Sequence, residues 1–120
     1  MSGKYLVDTN VFARILRGDS DLDDRLNAAG ETYLCTHVAG ELYYGVFKST
    51  QVQKNLADVN QILEETTFLK CDDTTSLRKN GTMLPENDIW IAAVALQYGL
   101  TLATDDGHFD AIPHLAKERW

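Results

Sequence analysis

The sequence predicts an α/β protein in which a parallel central sheet of four or five strands carries helices on both faces, a three-layer sandwich. Short runs rich in β-branched and aromatic residues alternate with longer runs of helical periodicity. No tight hairpin signal stands between the strands, so helices are expected to connect them and to make them parallel. With 120 residues and 44% hydrophobic content, the chain is expected to form one domain over residues 1–120.

Turn and capping residues separate the elements predicted in the first half. Thr9 or Asn10 can cap the first helix and Thr36 the third, because their side chains accept hydrogen bonds from free N–H groups at a helix start. Gly18 and Gly30 are expected to end the first two helices. In order, these signals predict a strand at 5–7, helices at 11–16 and 22–29, a strand at 32–35 and a helix after residue 36.

The second half begins with the clearest helix, whose apolar residues recur at spacings of four, three and four: Val52, Leu56, Val59 and Leu63. Residues 71–86 are irregular and are expected to form loop or short helix. A patterned helix begins at residues 85–88 and ends at Gly99. The remaining expected elements are a strand at 66–69, a strand at 100–103 and, over 109–120, a short helix with an irregular end.

The net charge of -7 limits the classes of function. Nucleic-acid binders usually carry a basic face that neutralises phosphates, and this chain as a whole does not. Either the protein does not touch nucleic acid, or its negative charge is concentrated in a site that takes cations. In the second case basic residues are left to contact phosphates around that site, among them Arg14, Arg17, Lys48 and Lys79.

The cysteines and the distribution of apolar residues indicate a compartment. Cys35 and Cys71 stand far apart without paired spacing, and each is expected to be a small core residue at a strand end. The N-terminus lacks an export signal, and no apolar run approaches the roughly 20 residues that a membrane helix needs. A reduced cytoplasm and the absence of a spanning segment are therefore expected.

Four carboxylates occupy positions that a parallel sheet would bring to one edge, each from a different element: Asp8, Glu41, Asp88 and Asp106. Taken singly, each has an ordinary explanation as a turn former, a helix cap or a solvated helix residue. Glu41 is the most informative, because apolar and small residues surround it in sequence. Gly40 and Gly45 are expected to allow close backbone approach there.

Such a cluster of like charges predicts a site for hard divalent cations, which prefer oxygen ligands. Mg²⁺ or Mn²⁺ held in this way can activate a water and stabilise the charge that develops on a phosphodiester. The three histidines lack ligand spacing and no Cys-x-x-Cys occurs, so a soft metal is not indicated. A serine or cysteine nucleophile has no supporting motif.

Four segments in order resemble the signatures of PIN-domain proteins, and they cover nearly the whole chain. Their closest likeness is to the VapC-type ribonuclease toxins of toxin–antitoxin pairs. The segments are Leu6-Val7-Asp8-Thr9-Asn10-Val11, Thr36-x4-Glu41-Leu42-x2-Gly45, Asn87-Asp88-x-Trp90-Ile91-Ala92-Ala93 and Leu102-Ala103-Thr104-x-Asp106-x2-Phe109.

The resemblance implies endonucleolytic cleavage of RNA that depends on Mg²⁺ or Mn²⁺. It assigns the acidic quartet of Asp8, Glu41, Asp88 and Asp106 to catalysis, with Asp8, Asp88 and Asp106 as metal ligands. Supporting roles fall to Thr9, Asn10, Thr104 and the additional carboxylate Asp105. It further implies a homodimer and a cognate antitoxin whose tail occupies the active-site groove. An arginine of such a tail could pair with the carboxylates in place of the metal.

One departure from the family pattern affects the site. Between the third strand and Asp88 the family usually has a complete helix, whereas residues 72–85 are too few for a helix and its connections. The segment is either naturally abbreviated or has lost a helix, which puts in question the wall beside the site. We nevertheless expect Asp88 to lie within about 10 Å of Asp8, the reach of a shared two-metal site, because its own helix is strongly patterned.

Two alternatives belong to other classes. A haloacid-dehalogenase-like phosphatase would share an aspartate after strand one, a threonine such as Thr36 and a late Asp105-Asp106 pair, but it requires a second aspartate where Asn10 stands. A PIN-like scaffold that has lost activity and only binds a partner is supported by the short segment. Dimerisation could use an aromatic surface on the third helix, or these side chains could be buried in their own domain: Tyr43, Tyr44 and Phe47.

Overall fold

The computed structural model describes residues 3–69 and 86–120. The first part contains β1 (Lys4–Val7), α1 (Thr9–Leu16), α2 (Ser20–Ala28), β2 (Glu31–Cys35), α3 (Thr36–Lys48), α4 (Val52–Glu65) and β3 (Thr67–Leu69). The second contains α5 (Glu86–Tyr98), β4 (Thr101–Thr104), a 3-10 helix (Gly107–Ala111) and β5 (Lys117–Arg119). Residues 70–85, which include Cys71, Lys79 and most of the short segment, lie outside the described residues.

The five strands form one parallel sheet in the order β3-β2-β1-β4-β5, which confirms the predicted fold class. From β1 the chain first builds outward through β2 and β3, and it later returns to place β4 on the other side of β1. The strand order therefore reverses between β1 and β4. In parallel sheets the crevice at the strand ends beside such a reversal is where ligands bind.

The core lies on both faces of the central strand β1 and its neighbour β4. Leu6 and Val7 of β1 and Leu102 and Ala103 of β4 are fully buried, as a strand covered on both sides requires. Cys35 is buried at the end of β2, in agreement with the sequence prediction. Within the described residues, no helix is long and apolar enough to cross a bilayer.

The helix starts differ from the prediction in two places. The cap of α1 is Asp8 itself, not Thr9 or Asn10, because its carboxylate accepts a hydrogen bond from the Thr9 N–H. Thr36 is the first residue of α3, and the capping position is Cys35, which makes no side-chain hydrogen bond there. The predicted glycine stops at Gly18 and Gly99 both have positive φ, 103° and 65°, a conformation that favours glycine.

The tail was predicted as a short helix, and that was wrong for its last residues. A single 3-10 helix forms at Gly107–Ala111, after which Lys117–Arg119 pair with β4 as the edge strand β5. Three residues are too few to show a strand period, so this strand is created by pairing and not by local preference. Behind it, the Arg14 side chain donates a hydrogen bond to the Trp120 carbonyl.

Candidate active site

Asp8 stands at the strand-order reversal and is only 5% exposed. Its backbone N–H donates to the Ala103 carbonyl, so the residue continues the pairing of β1 with β4. One carboxylate oxygen accepts from the Thr9 N–H at 2.7 Å and the other from the Thr104 hydroxyl at 2.7 Å. Both oxygens are thus fixed, and the carboxylate is oriented at the carboxyl edge of the sheet.

Burial raises the pKa of Asp8 from 3.8 to about 6. The hydrogen bonds from Thr104 and Thr9 favour the ionised form and oppose this rise, whereas the charges of Asp88 and Glu41 add to it. A carboxylate that is buried next to other carboxylates is stabilised in its ionised form by a cation. The electrostatics of Asp8 therefore fit a bound metal ion.

Glu41 reaches the site from α3. Its carboxylate accepts a hydrogen bond of 2.8 Å from the Thr9 hydroxyl, which connects the second predicted acid to the residue after Asp8. The expectation for the neighbouring glycines was wrong, because Gly40 and Gly45 are exposed and a Cβ at either would meet no described atom within 4 Å. They line an open cleft instead of a close helix contact.

The Thr104 hydroxyl links the first and fourth predicted acids. It donates to Asp8 and accepts from the backbone N–H of Asp106 at 3.0 Å. The Asn10 side chain approaches the same hydroxyl at 3.4 Å and accepts from the Asp105 N–H at 3.3 Å. Thr104 is buried, so this polar network has little water to compete with it.

Asp88 enters from the first turn of α5. Burial raises its pKa, and the charges of Asp106 and Glu41 raise it further, whereas contact with His108 lowers it. The charge of Asp88 in turn raises the pKa of Asp8. The structure therefore brings all four predicted acids into one electrostatic cluster, from four different elements.

His108 belongs to this cluster and was missed by the sequence reasoning. Its Nδ1 lies 3.3 Å from Oδ2 of Asp88 and 3.3 Å from Oδ1 of Asp106. Among the described residues, these three side chains offer ligand atoms that all lie within 4.8 Å of one another. The sequence signal for it is the spacing Asp106-x-His108, which spacing among the histidines alone does not show.

Two predicted participants point away from the cluster. The Asp105 carboxylate pairs with Arg119 at 3.2 Å, although its backbone N–H supports Asn10. Arg14 was expected to contact phosphate, but it is partly buried and engages the Trp120 carbonyl.

A cleft of about 700 Å³ leads from the cluster along α3. Thr9 and Glu41 line its inner end, and Tyr44 and Lys48 line it further along the helix. The Lys48 ammonium lies 5.0 Å from the centre of the Tyr44 ring. Arg17 lines an adjoining pocket between α1, α3 and α4, which shares Thr9, Glu41 and Gly45 with this cleft. A cationic and an aromatic side chain thus stand beside the acidic centre.

The known proteins that are similar to this chain agree with one another. A family model described as PIN domain matches residues 5–115. The protein named Ribonuclease VapC2 of Haemophilus influenzae is 31% identical over 129 residues, with 98% of each chain covered. Ribonuclease VapC2 of Rickettsia felis is 31% identical over 130 residues, with 97% of each covered. Both alignments are longer than the 120 residues of this chain, so each relative has residues without a counterpart here.

Solved structures show the same fold. A DNA-bound VapBC from Salmonella typhimurium contains a chain that superposes with a TM-score of 0.85 at 25% identity, covering 100% of this chain and 99% of that one. VapBC2 from Rickettsia felis, bound to a DNA fragment from its promoter, gives a TM-score of 0.85 at 24% identity over 98% of both chains.

Proposed function

Because this chain belongs to the PIN-domain family, we propose that it is a divalent-metal-dependent endoribonuclease and the toxin of a toxin–antitoxin pair. The observation that carries the proposal is the buried Asp8 carboxylate, which Thr9 and Thr104 hold at the sheet edge and which interacts with the charges of Glu41 and Asp88. Three oxygen donors that repel one another fit Mg²⁺ or Mn²⁺. We take residues 1–120 to act as one domain in the cytoplasm.

Each member of the quartet has a distinct task in this proposal. Asp8, Asp88 and Asp106 would hold the cation, and Thr104 fixes the first and the third of them relative to each other. Glu41 is held by Thr9 through one carboxylate oxygen, and the other can take the proton of an attacking water. The cation, when bound, lowers the pKa of that water and offsets charge on the phosphate.

The substrate would be RNA laid along the cleft on α3. Lys48 lines this cleft and Arg17 lines the adjoining pocket, and each offers a positive charge for a phosphate. Substrate contacts therefore come from a few local residues, in keeping with a chain whose net charge is -7.

The protein partners are proposed from the relatives. Solved structures that share this fold are VapBC complexes, and a cognate antitoxin is the partner that this suggests. An antitoxin arginine could pair with the carboxylates of the site in place of the cation. If the chain kept full activity when saturated with the product of its neighbouring gene, that mode of inhibition would be wrong.

Cleavage of single-stranded RNA tests the function. We expect cleavage with Mg²⁺ or Mn²⁺, none with EDTA, and a loss on the order of 100-fold or more in Asp8→Asn, because catalytic carboxylates supply several kcal/mol of transition-state stabilisation. Asp105→Asn is the matched control, since that carboxylate pairs with Arg119 outside the cluster. Metal-independent cleavage, or equal activity of the Asp8→Asn variant, would refute the proposal.

Testing a second substrate beside RNA separates the rival functions. A haloacid-dehalogenase-like phosphatase would hydrolyse a small phosphomonoester such as p-nitrophenyl phosphate. That class needs its second aspartate at position 10, where this chain has Asn10. The Asn10 side chain instead contacts the Thr104 hydroxyl and accepts from the Asp105 N–H. A scaffold without activity would cut neither substrate while still binding a partner.

A further inference from the structure

A nitrogen donor stands among the oxygen donors of the proposed cation site. Nδ1 of His108 lies 3.3 Å from an oxygen of Asp88 and 3.3 Å from an oxygen of Asp106. The three ligand atoms are within 4.8 Å of one another, so one ion could contact all of them after small side-chain movements. This grouping combines side chains from α5 and from the 3-10 helix with its cap.

The placement of His108 follows from its turn. Asp106 caps the 3-10 helix by accepting the His108 N–H at 2.9 Å, and Thr104 in turn holds the Asp106 N–H. The next residue, Phe109, is fully buried and anchors the turn in the core. The imidazole itself is 60% exposed, so contact with the carboxylates and not core packing orients the ring.

We propose that His108 is a protein ligand of the cation together with Asp88 and Asp106, and that it biases the site toward ions that accept nitrogen. This rests on the proposed function only in assuming that the cluster binds a cation. Mg²⁺ takes oxygen ligands almost exclusively, whereas affinity for imidazole rises from Mn²⁺ to Co²⁺. Removal of the imidazole should therefore lower the affinity for Mg²⁺ least and the affinity for Co²⁺ most.

The rival role for His108 is that of a substitute cation. A protonated imidazole between two carboxylates would neutralise them when no metal is bound, and an incoming ion would have to displace it. Removal of the ring would then strengthen the binding of every ion alike. If His108 is a ligand, His108→Ala weakens metal binding. If it is a displaced cation, the same substitution strengthens metal binding.

The test is direct metal binding to the full chain, without RNA. Mg²⁺ and Co²⁺ binding is measured by calorimetry and Mn²⁺ binding by the electron paramagnetic resonance of the free ion. For His108→Ala we expect less than about 3-fold loss for Mg²⁺, about 10-fold for Mn²⁺ and more for Co²⁺. The visible spectrum of bound Co²⁺ should also shift.

The control is His114→Gly, which removes an imidazole elsewhere from a residue with φ of 67°, where glycine is favoured. It should change none of the affinities, and far-ultraviolet circular dichroism checks that both variants fold. An equal loss for all ions, no loss, or tighter binding in His108→Ala would overturn the ligand role. Metal binding that follows the expected series without RNA cleavage would instead refute the ribonuclease proposal and leave His108 as a ligand.

Discussion

At the scale of single residues, the raised pKa of the buried Asp8 carboxylate predicts that stability depends on pH. Its folded pKa of about 6 lies above the ordinary value of 3.8, so ionisation disfavours the fold. The stability that it contributes is present at low pH and is lost as pH rises through about 6. The difference between 3.8 and about 6 corresponds to about 3 kcal/mol.

We therefore predict that Asp8→Asn stabilises the metal-free chain above pH 7 by about 2–3 kcal/mol, and that this gain disappears toward pH 4. Urea unfolding in EDTA at several pH values measures it. Added Mn²⁺ should stabilise the wild-type chain more than the variant. A variant that is less stable than wild type at pH 8 in EDTA would contradict the assigned pKa.

Thr104 is a positioning residue with a prediction of its own. Thr104→Val keeps the shape but removes the hydroxyl that donates to Asp8 and accepts from the Asp106 N–H. We expect about 1–2 kcal/mol of lost stability and about 10-fold weaker Mn²⁺ binding. The control is Thr101→Val on the same strand, since Thr101 lies at the opposite end of β4 from the site. Equal Mn²⁺ affinity in both variants would show that Thr104 does not organise the site.

The sequence could predict the acids but not the atoms that hold them. Asp8 and Asp106 follow strand ends, which share an edge in a parallel sheet, whereas Glu41 and Asp88 lie inside predicted helices that begin beside that edge. The hydroxyl of Thr104 had been assigned only a general supporting role. His108 was missed because its position depends on how a three-residue turn folds back toward α5, which no periodicity records.

At the scale of elements, helices and strands with a strong residue pattern could be predicted. The order of the strands and the short edge strand could not. The helix of Val52–Glu65 follows from residue spacing, and the strand of Lys4–Val7 follows from a short run of aromatic and β-branched residues. The order of the strands could not be read, because any helix-connected parallel arrangement satisfies the same pattern. The edge strand Lys117–Arg119 exists only through its partner β4.

The exposed face of α3 is the element with the clearest unassigned surface. Tyr43 packs inward and donates to Asn60, whereas Tyr44 and Phe47 are 66% and 64% exposed and lie one turn apart. The sequence left both outcomes open for these aromatics, and the structure divides them. Two large exposed rings on one helix face fit the association surface that the sequence predicted as one of two outcomes.

We predict that a Tyr44→Ala, Phe47→Ala double variant weakens self-association of the chain by about 30-fold. This is the loss expected when two interface side chains of about 1 kcal/mol each are truncated. Sedimentation velocity over a concentration series measures it. Phe68→Ala serves as the control, because Phe68 is an exposed aromatic on β3 and not on this face. If the control and the double variant dissociate alike, the surface lies elsewhere.

At the scale of the whole molecule, the net charge of -7 opposes RNA binding. Most nucleic-acid binders release counterions from phosphate, so salt weakens them. A negatively charged protein without metal is instead repelled by RNA, and salt screens that repulsion. Ions held by the carboxylate cluster would remove negative charge where the strand must approach. We therefore expect metal occupancy to raise the affinity for RNA.

This coupling predicts a change of sign. In EDTA, RNA affinity should stay constant or rise as KCl increases from about 50 to about 200 mM, because salt screens the repulsion between the protein and RNA. With saturating Mn²⁺, affinity should be at least about 10-fold higher at low salt and should fall as KCl increases. Fluorescence anisotropy with labelled 2′-O-methyl RNA, which lacks the free hydroxyl, measures both without cleavage.

The matched control for this measurement is Lys48→Ala, which removes the charge that lines the cleft beyond Glu41. It should lower affinity in Mn²⁺ and flatten the fall with KCl, because one fewer phosphate contact releases one fewer counterion. In EDTA the variant should differ little from wild type, since repulsion already dominates there. A steep loss of affinity with salt in EDTA would mean that basic residues, and not the metal-filled cluster, recruit the RNA.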